Sequence, residues 1–275
     1  MRAALVQLNA SDDPAANLPV TLGFLEDAAD AGAEIALTPE VTNCVSASRA
    51  RQAEVLQDEN EDITLAAVRE LAARRGMRVL IGSLALKGGA DGRFVNRSLL
   101  IGPDGGIAAR YDKMHMFDVS ISETETYRES AGYAPGDRAV LVQAGAAALG
   151  LTICYDLRFP YLFRRLAQAG AEVLTVPSAF APDTGAAHWE TLLRARAIET
   201  GSFVLAPAQC GTHRAVQGRE RRTHGHSLAV DPWGRILADG GDLPGVTTVD
   251  LDVSAVKDVR GRVPSLTHDR DFEGP

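Results

Sequence analysis

Residues 148–177 read ALGLTICYDLRFPYLFRRLAQAGAEVLTVP. An apolar run over 148–154 predicts a strand. A tight turn follows, then a helix over 160–169 and a second buried strand over 172–177. Strand, helix and strand in quick succession are the unit from which α/β proteins are built.

The alternation continues in both directions. Strands are predicted over 3–8, 34–38, 77–84, 93–102, 106–113, 138–142, 202–207, 225–231, 235–238 and 246–251. Helices are predicted over 14–31, 62–75 and 185–200, with a short helix and a polar tail beyond Ser254. Leu18, Leu22, Leu25 and Ala29 share one face of the first helix, and Trp189, Leu192, Leu193 and Ala197 share a stripe of the last long one. Gly102-Pro103-Asp104-Gly105 has the residues of a tight turn joining two strands. Hairpins mixed with strand–helix–strand units call for mixed sheets covered by helices. Residues 114–137 are polar and irregular, and a stretch of that length reads as a functional loop. No linker, repeat or low-complexity run divides the chain, so residues 1–275 are read as one domain.

Composition removes several function classes. The 275 residues are 45% apolar and 23% charged, with a net charge of −8, which gives no sign of the basic face that nucleic acid requires. The most apolar stretch, 139–154, is too short and too interrupted to span a bilayer. The N-terminus lacks the apolar core of a signal peptide. Three cysteines without CxxC spacing speak against a disulfide framework, so a reducing cytoplasm is expected. Of 28 basic residues only Lys87, Lys113 and Lys257 are lysines. A lysine at a motif-like position in such an arginine-rich chain raises the question of what arginine could not do there.

No GxGxxG, P-loop, GxSxG or HExxH motif is present. His224 and His226 lack a ligating partner at metal spacing and read as structural, so no metal site is expected. Three predicted strands instead end on reactive residues. Glu40 follows 35–39, where burial would raise its pKa towards that of a general base. Lys113 ends 106–113, where a compact ammonium can hold an oxyanion or pass a proton; a salt bridge to Asp112 is the plain alternative. Cys154 closes its strand at a strand-to-helix turn, where helix-terminal N–H groups would lower its pKa. Cys44 and Cys210 read as structural.

Taken together, these segments resemble the nitrilase superfamily of carbon–nitrogen hydrolases. The resemblance is carried by T-P-E at Glu40, D-K-x-H-x-F-D at Lys113, Y-R-E-S at Glu129, I-C-Y-D-x-R-F-P at Cys154, and G-x-A-H-W-E-x-L-L-R-A-R-A-I-E and G-H-S further on. It runs from the first strand to about Asp269. Met116, where many relatives have Leu, and a short tail are the departures. The segments around Ser178, His188 and Gln209-Cys210-Gly211 look most like the deaminated-glutathione amidase and ω-amidase branch.

The resemblance implies a four-layer α-β-β-α sandwich, a homodimer or higher homo-oligomer, and catalysis by Glu40, Lys113 and Cys154. Glu129 matches a second glutamate beside the lysine. Tyr155, Phe180 and His188 become pocket-wall residues by the same resemblance. Arg158 is a candidate to grip a substrate carboxylate, with an ion pair to Asp156 or Glu190 as its alternative. The expected activity is hydrolysis of a small carboxylate-bearing amide with release of ammonia, without metal or organic cofactor. Deaminated glutathione, ω-monoamides of 2-oxo dicarboxylates and N-carbamoyl amino acids are the alternative substrates. A catalytically silent scaffold of the same fold is the non-enzymatic alternative.

Overall fold

The computed structural model describes residues 1–120 and 126–274. Its first half runs β1 (Arg2–Gln7), α1 (Pro14–Asp30), β2 (Ile35–Leu37), α2 (Arg49–Val55), α3 (Ile63–Arg75), β3 (Arg78–Leu86), β4 (Val95–Ile101) and β5 (Ile107–Asp112). A small hairpin of β6 (Asp118–Ser120) and β7 (Thr126–Arg128) lies in the long loop; residues 121–125 of that loop lie outside the described residues. The second half runs β8 (Val140–Ala144), β9 (Ala147–Leu151), α4 (Pro160–Gln168), β10 (Val173–Thr175), α5 (Pro182–Thr200), β11 (Phe203–Ala206), β12 (Cys210–His213), β13 (Arg221–His224), β14 (Leu228–Val230), β15 (Ile236–Asp239), β16 (Gly245–Asp250) and α6 (Ala255–Arg262).

Two six-stranded sheets dominate, ordered β16-β1-β2-β3-β4-β5 and β15-β14-β11-β10-β9-β8. Each is parallel at its centre and antiparallel at its edges, the mixed pattern expected from the sequence. The layering follows from the period-2 alternation of strand side chains. Ala4, Val6, Ala36, Val79 and Ile81 point to one side of the first sheet and pack on Leu25 and Ala28 of α1 and Leu65, Val68 and Leu71 of α3. Ala3, Leu5, Ile35, Leu37 and Leu80 point to the other side and join Leu149, Leu151 and Val173 of the second sheet. The same core continues to Phe163 and Leu166 of α4 and to Trp189 and Leu193 of α5. The order is therefore helix, sheet, sheet, helix. Strands buried on both faces explain why their sequences are continuous apolar runs.

Two local readings need correction, and two elements went unread. The strand predicted over 148–154 ends at Leu151. The Ile153 N–H turns to the Asp156 carboxylate (2.8 Å) instead of a neighbouring strand, and Cys154 opens a single 3-10 turn. The helix predicted from 185 starts at Pro182, a residue whose fixed φ and missing N–H suit a first turn. Helix α2 and the β12–β13 hairpin have no counterpart in the sequence reading. The first is short and capped by Ser48, whose hydroxyl accepts from Arg51 N–H; the second is too polar to alternate visibly.

Candidate active site

The two packed sheets approach each other closely at Gly82. A Cβ there would lie 1.9 Å from the Thr38 carbonyl oxygen, 2.6 Å from that of Pro39 and 2.5 Å from Pro177 Cβ. Only glycine allows β3 this close to both neighbours. The register of β3 shifts at this point, and Ser83 then grips the turn after β2. Its hydroxyl accepts from Val41 N–H (2.8 Å), its N–H donates to Pro39, and its carbonyl accepts from Thr42. These bonds fix Glu40 just before Val41, a β-branched residue held at φ 48°. On the other sheet Cys154 N–H donates to the Pro177 carbonyl (2.9 Å), and Cys154 itself sits at φ 49°. A left-handed non-glycine residue costs roughly 1–3 kcal/mol and persists only where its surroundings enforce it. Asp156 supplies much of that enforcement. It is fully buried and accepts from Tyr111 Oη (2.6 Å), Ile153 N–H and both His115 N–H (3.1 Å) and Nδ1 (2.6 Å).

Glu40, Lys113, Glu129 and Cys154 converge on one cavity of about 480 Å³, within the range of small-molecule sites. Lys113 Nζ donates to Glu40 Oε1 (2.8 Å) and to both Glu129 oxygens (3.0 and 2.9 Å). Asp112, the salt-bridge partner considered for it, is taken by Arg97. Glu40 Oε1 also accepts from Asn96 Nδ2 (2.9 Å), and Oε2 accepts from Ala179 N–H (3.0 Å). One carboxylate is thus held by both sheets. Glu129 Oε2 accepts from Phe117 N–H (2.6 Å), which ties the long loop to the lysine.

The charge states differ from those the sequence suggested. Burial pushes the Glu40 carboxyl up, as expected. The Lys113 ammonium, hydrogen bonds from Lys113 and Cys154, and the charge of Arg221 outweigh it, so the carboxyl lies below its ordinary range. Burial also raises the Cys154 thiol, and the Glu40 carboxylate adds to the rise; Lys113 and the Ala179 N–H offset only part. The expected lowering of this thiol is therefore reversed. Burial opposes the charge on Lys113, but Glu129 and Glu40 more than compensate and hold its pKa well above normal. The two carboxylates thus favour the ammonium form. At neutral pH the site holds an ionised base, a neutral thiol and a permanent cation.

Tyr155 and Phe180 line the cavity, whereas Arg158 and His188 are not among its lining residues. The Arg158 guanidinium lies over the Tyr155 and Phe180 rings and contacts His188 Nδ1 (3.3 Å). Neither alternative partner is available to it, because Asp156 serves His115 and Glu190 pairs with Arg194. Cys44 also lines the cavity, with burial pushing its thiol up to about 12. Cys210 is buried, and its thiol is pushed up to about 11. The His224 and His226 rings stack 4.8 Å apart, with His226 Nδ1 on Asp239. Among the described residues no group of three His, Cys, Asp or Glu is placed to hold a metal, and no helix is long and apolar enough to cross a membrane.

Several lining residues escaped the sequence reading: Asn96, Tyr133, Arg49, Arg219 and Arg221. Asn96 lies on β4 beside Glu40. Its Oδ1 is buried without a hydrogen-bond partner, as is Arg221 Nε. Each such group costs about 1–3 kcal/mol, and both lie on residues that face the cavity.

The family model described as carbon-nitrogen hydrolase matches residues 2–261. The chain is 40% identical over 243 residues to the deaminated glutathione amidase of Yersinia enterocolitica, covering 88% of this chain and 83% of that protein. Among solved structures it resembles the C. elegans NitFhit protein, with a TM-score of 0.90, 33% identity and 98% of this chain covered; it spans 65% of that longer chain. It also resembles Saccharomyces cerevisiae Nit3, a member of branch 10 of the nitrilase superfamily, with a TM-score of 0.85, 28% identity and coverage of 99% of this chain and 97% of that one.

Proposed function

We propose a mechanism from one premise: this chain belongs to the carbon–nitrogen hydrolase family, and it is a cysteine-dependent amidase acting on a small-molecule amide. In this reading Cys154 Sγ attacks the amide carbon while Glu40 takes the thiol proton. The carbonyl oxygen becomes an oxyanion held by the Lys113 ammonium and the Tyr155 N–H. Glu40 returns the proton to the departing nitrogen, the C–N bond breaks, and ammonia leaves a thioester on Cys154. Glu40 then takes a proton from water as its oxygen attacks the thioester. The second oxyanion collapses to a carboxylic acid, and the thiol recovers its proton from Glu40. Glu129 positions Lys113 throughout. This route uses no metal or organic cofactor.

The observation that carries the proposal is the buried ammonium bridging two carboxylates beside a cysteine in one cavity. An ionised base next to a neutral thiol is the state from which a coupled attack and proton transfer can start. The proposed substrate carries a carboxylate, with deaminated glutathione the first choice because the relative from Yersinia enterocolitica is named for it. A single domain over 1–275, a homodimer or higher homo-oligomer, and a cytoplasmic setting complete the proposal. The test is ammonia release from deaminated glutathione, ω-monoamides of 2-oxo dicarboxylates, N-carbamoyl amino acids and nitriles. Release from deaminated glutathione well ahead of the others is expected; turnover of nitriles alone would overturn the amidase assignment.

A further inference from the structure

The chain carries a net charge of −8, yet its cavity is positive. Arg49, Lys113, Arg219 and Arg221 face Glu40 and Glu129 across it, four cations against two carboxylates. Lys113 is committed to the two glutamates. The Arg49 guanidinium donates to Gln52 Oε1 (2.9 Å) and to the carbonyls of Arg128 and Glu129 (3.4 Å each), and lies over the Tyr133 ring. Arg219 is exposed at the mouth, over the Tyr127 ring (5.7 Å). The Arg221 guanidinium, half-buried where Arg219 is exposed, has no hydrogen bond or ion pair among the described residues, and its Nε is buried.

Arg221 acts on Glu40 only through space; a half-buried guanidinium that pairs with no carboxylate, on the wall of a positive cavity, is complementary to a ligand that brings one. We infer that Arg221 determines specificity by pairing with a carboxylate on the acyl portion of the substrate, remote from the amide that is cut. The enzyme accordingly selects anionic amides over neutral ones of the same shape. The inference rests on the amidase reading and assigns the carboxylate grip to β13 of the hairpin, not to Arg158. The guanidinium fork suits a carboxylate bidentately, and the surrounding positive field draws anions towards the cavity. Arg222, the next residue on β13, is exposed and does not line the cavity, which makes it a control of equal charge.

The test compares glutaramate with 5-methylhexanamide, in which an isopropyl group replaces the carboxylate. The wild type, Arg221→Gln, Arg221→Lys and Arg222→Gln are assayed for ammonia release. Arg221→Gln should lower kcat/KM for glutaramate by about 10²-fold, mostly through KM, the scale for truncating one partner of a buried charge pair. The neutral amide should change little, Arg221→Lys should fall between, and Arg222→Gln should match the wild type on both. Equal losses on both amides, or none on glutaramate, overturn the inference while leaving the amidase reading intact. Calorimetric titration with glutarate separates the two from the other side. Binding to the wild type that Arg221→Gln abolishes upholds the anion site even if neither amide is cut, and no binding to the wild type overturns it.

Discussion

Removing the cation at the centre of the site, as in Lys113→Met, makes a prediction about stability as well as rate. The ammonium lies 2.8 Å from Glu40 and 2.9 Å from Glu129, and the three side chains are 2%, 6% and 15% exposed. Breaking a buried pair by deleting one partner costs about 3–5 kcal/mol. For a chain of this size, where about 1 kcal/mol moves Tm by roughly 2 °C, the fall should be about 6–10 °C. The pH dependence has a definite sign. In the wild type Glu40 is held below its unfolded value, so its contribution is present above that value and lost as pH falls through the folded one. In Lys113→Met, burial, the largest influence on Glu40, meets little opposition and lifts the folded value above the unfolded one. Stability is then greatest at low pH and declines as pH rises through the folded value. The deficit against wild type should therefore widen from about pH 5 to about pH 8. Scanning calorimetry at both pH values measures it. Adding Glu40→Gln and Glu129→Gln to Lys113→Met should recover most of the loss, with no ammonia release from either variant. A deficit that is flat with pH, or a triple variant no more stable than the single one, would refute the reasoning.

Lys113→Arg keeps the charge but presents a wider, planar cation to the oxyanion, so kcat should fall by about 10²–10³ while circular dichroism is unchanged; Lys87→Arg and Lys257→Arg should be near neutral, and normal turnover by Lys113→Arg would return this lysine to a structural role. Cys154→Ala should remain folded and release no ammonia, and any substantial residual turnover would remove the cysteine as acyl carrier. Because Glu40 is held below its ordinary range, the acid limb of kcat/KM should lie below about pH 4.3; a limb near neutrality would mean that the base titrates without the help of Lys113. Gly82→Ala should cost about 1–3 kcal/mol from overpacking and should lower kcat more than it raises KM, since the same glycine sets the spacing of the strand ends carrying Glu40 and Cys154. Normal kcat in that variant would show that the contact is not transmitted to the site.

What the sequence discloses here is position, and what it conceals is partnership. Glu40, Lys113 and Cys154 each close a predicted strand, so their places near strand ends are readable locally. Their charge states are not. Glu40 and Lys113 are 73 residues apart, and burial alone, the only influence visible in 35–40, gives the wrong direction for the carboxylate. For Cys154 the local turn suggests a lowered thiol, but burial, and after it the Glu40 carboxylate from the other sheet, raises it. Arg221 was hidden for another reason. In a chain with 25 arginines, the run Arg219-Glu220-Arg221-Arg222 looks like a solvated face. Only pairing of β12 with β13 places Arg221 on the cavity wall and leaves Arg222 outside it. The four layers likewise follow from which faces of two-sided strands meet, a question that apolar runs leave open.

The cluster's charges also bear on why such a site would need two glutamates around one lysine. In the resting state the negative charge that matters is on Glu40, and the thiol beside it is neutral. In the proposed attack the thiol proton moves to Glu40 and a negative charge is placed on the former carbonyl oxygen. No net charge is created; one is relocated from a carboxylate to an oxyanion within reach of the same ammonium. The work of desolvating that charge is already contained in the fold, where Asn96, Ala179 and Lys113 solvate Glu40 in place of water. A fixed cation between two positions of one charge is the preorganised electrostatics by which a buried site lowers a barrier. Glu129 is needed because Lys113 must keep its own position and proton as Glu40 becomes neutral. With Glu40 alone as partner, the ammonium would lose its counter-charge at the moment of attack. In the proposed mechanism the carboxylate of Glu129, anchored by the Phe117 N–H, stays paired with Lys113 and keeps it in register for the oxyanion.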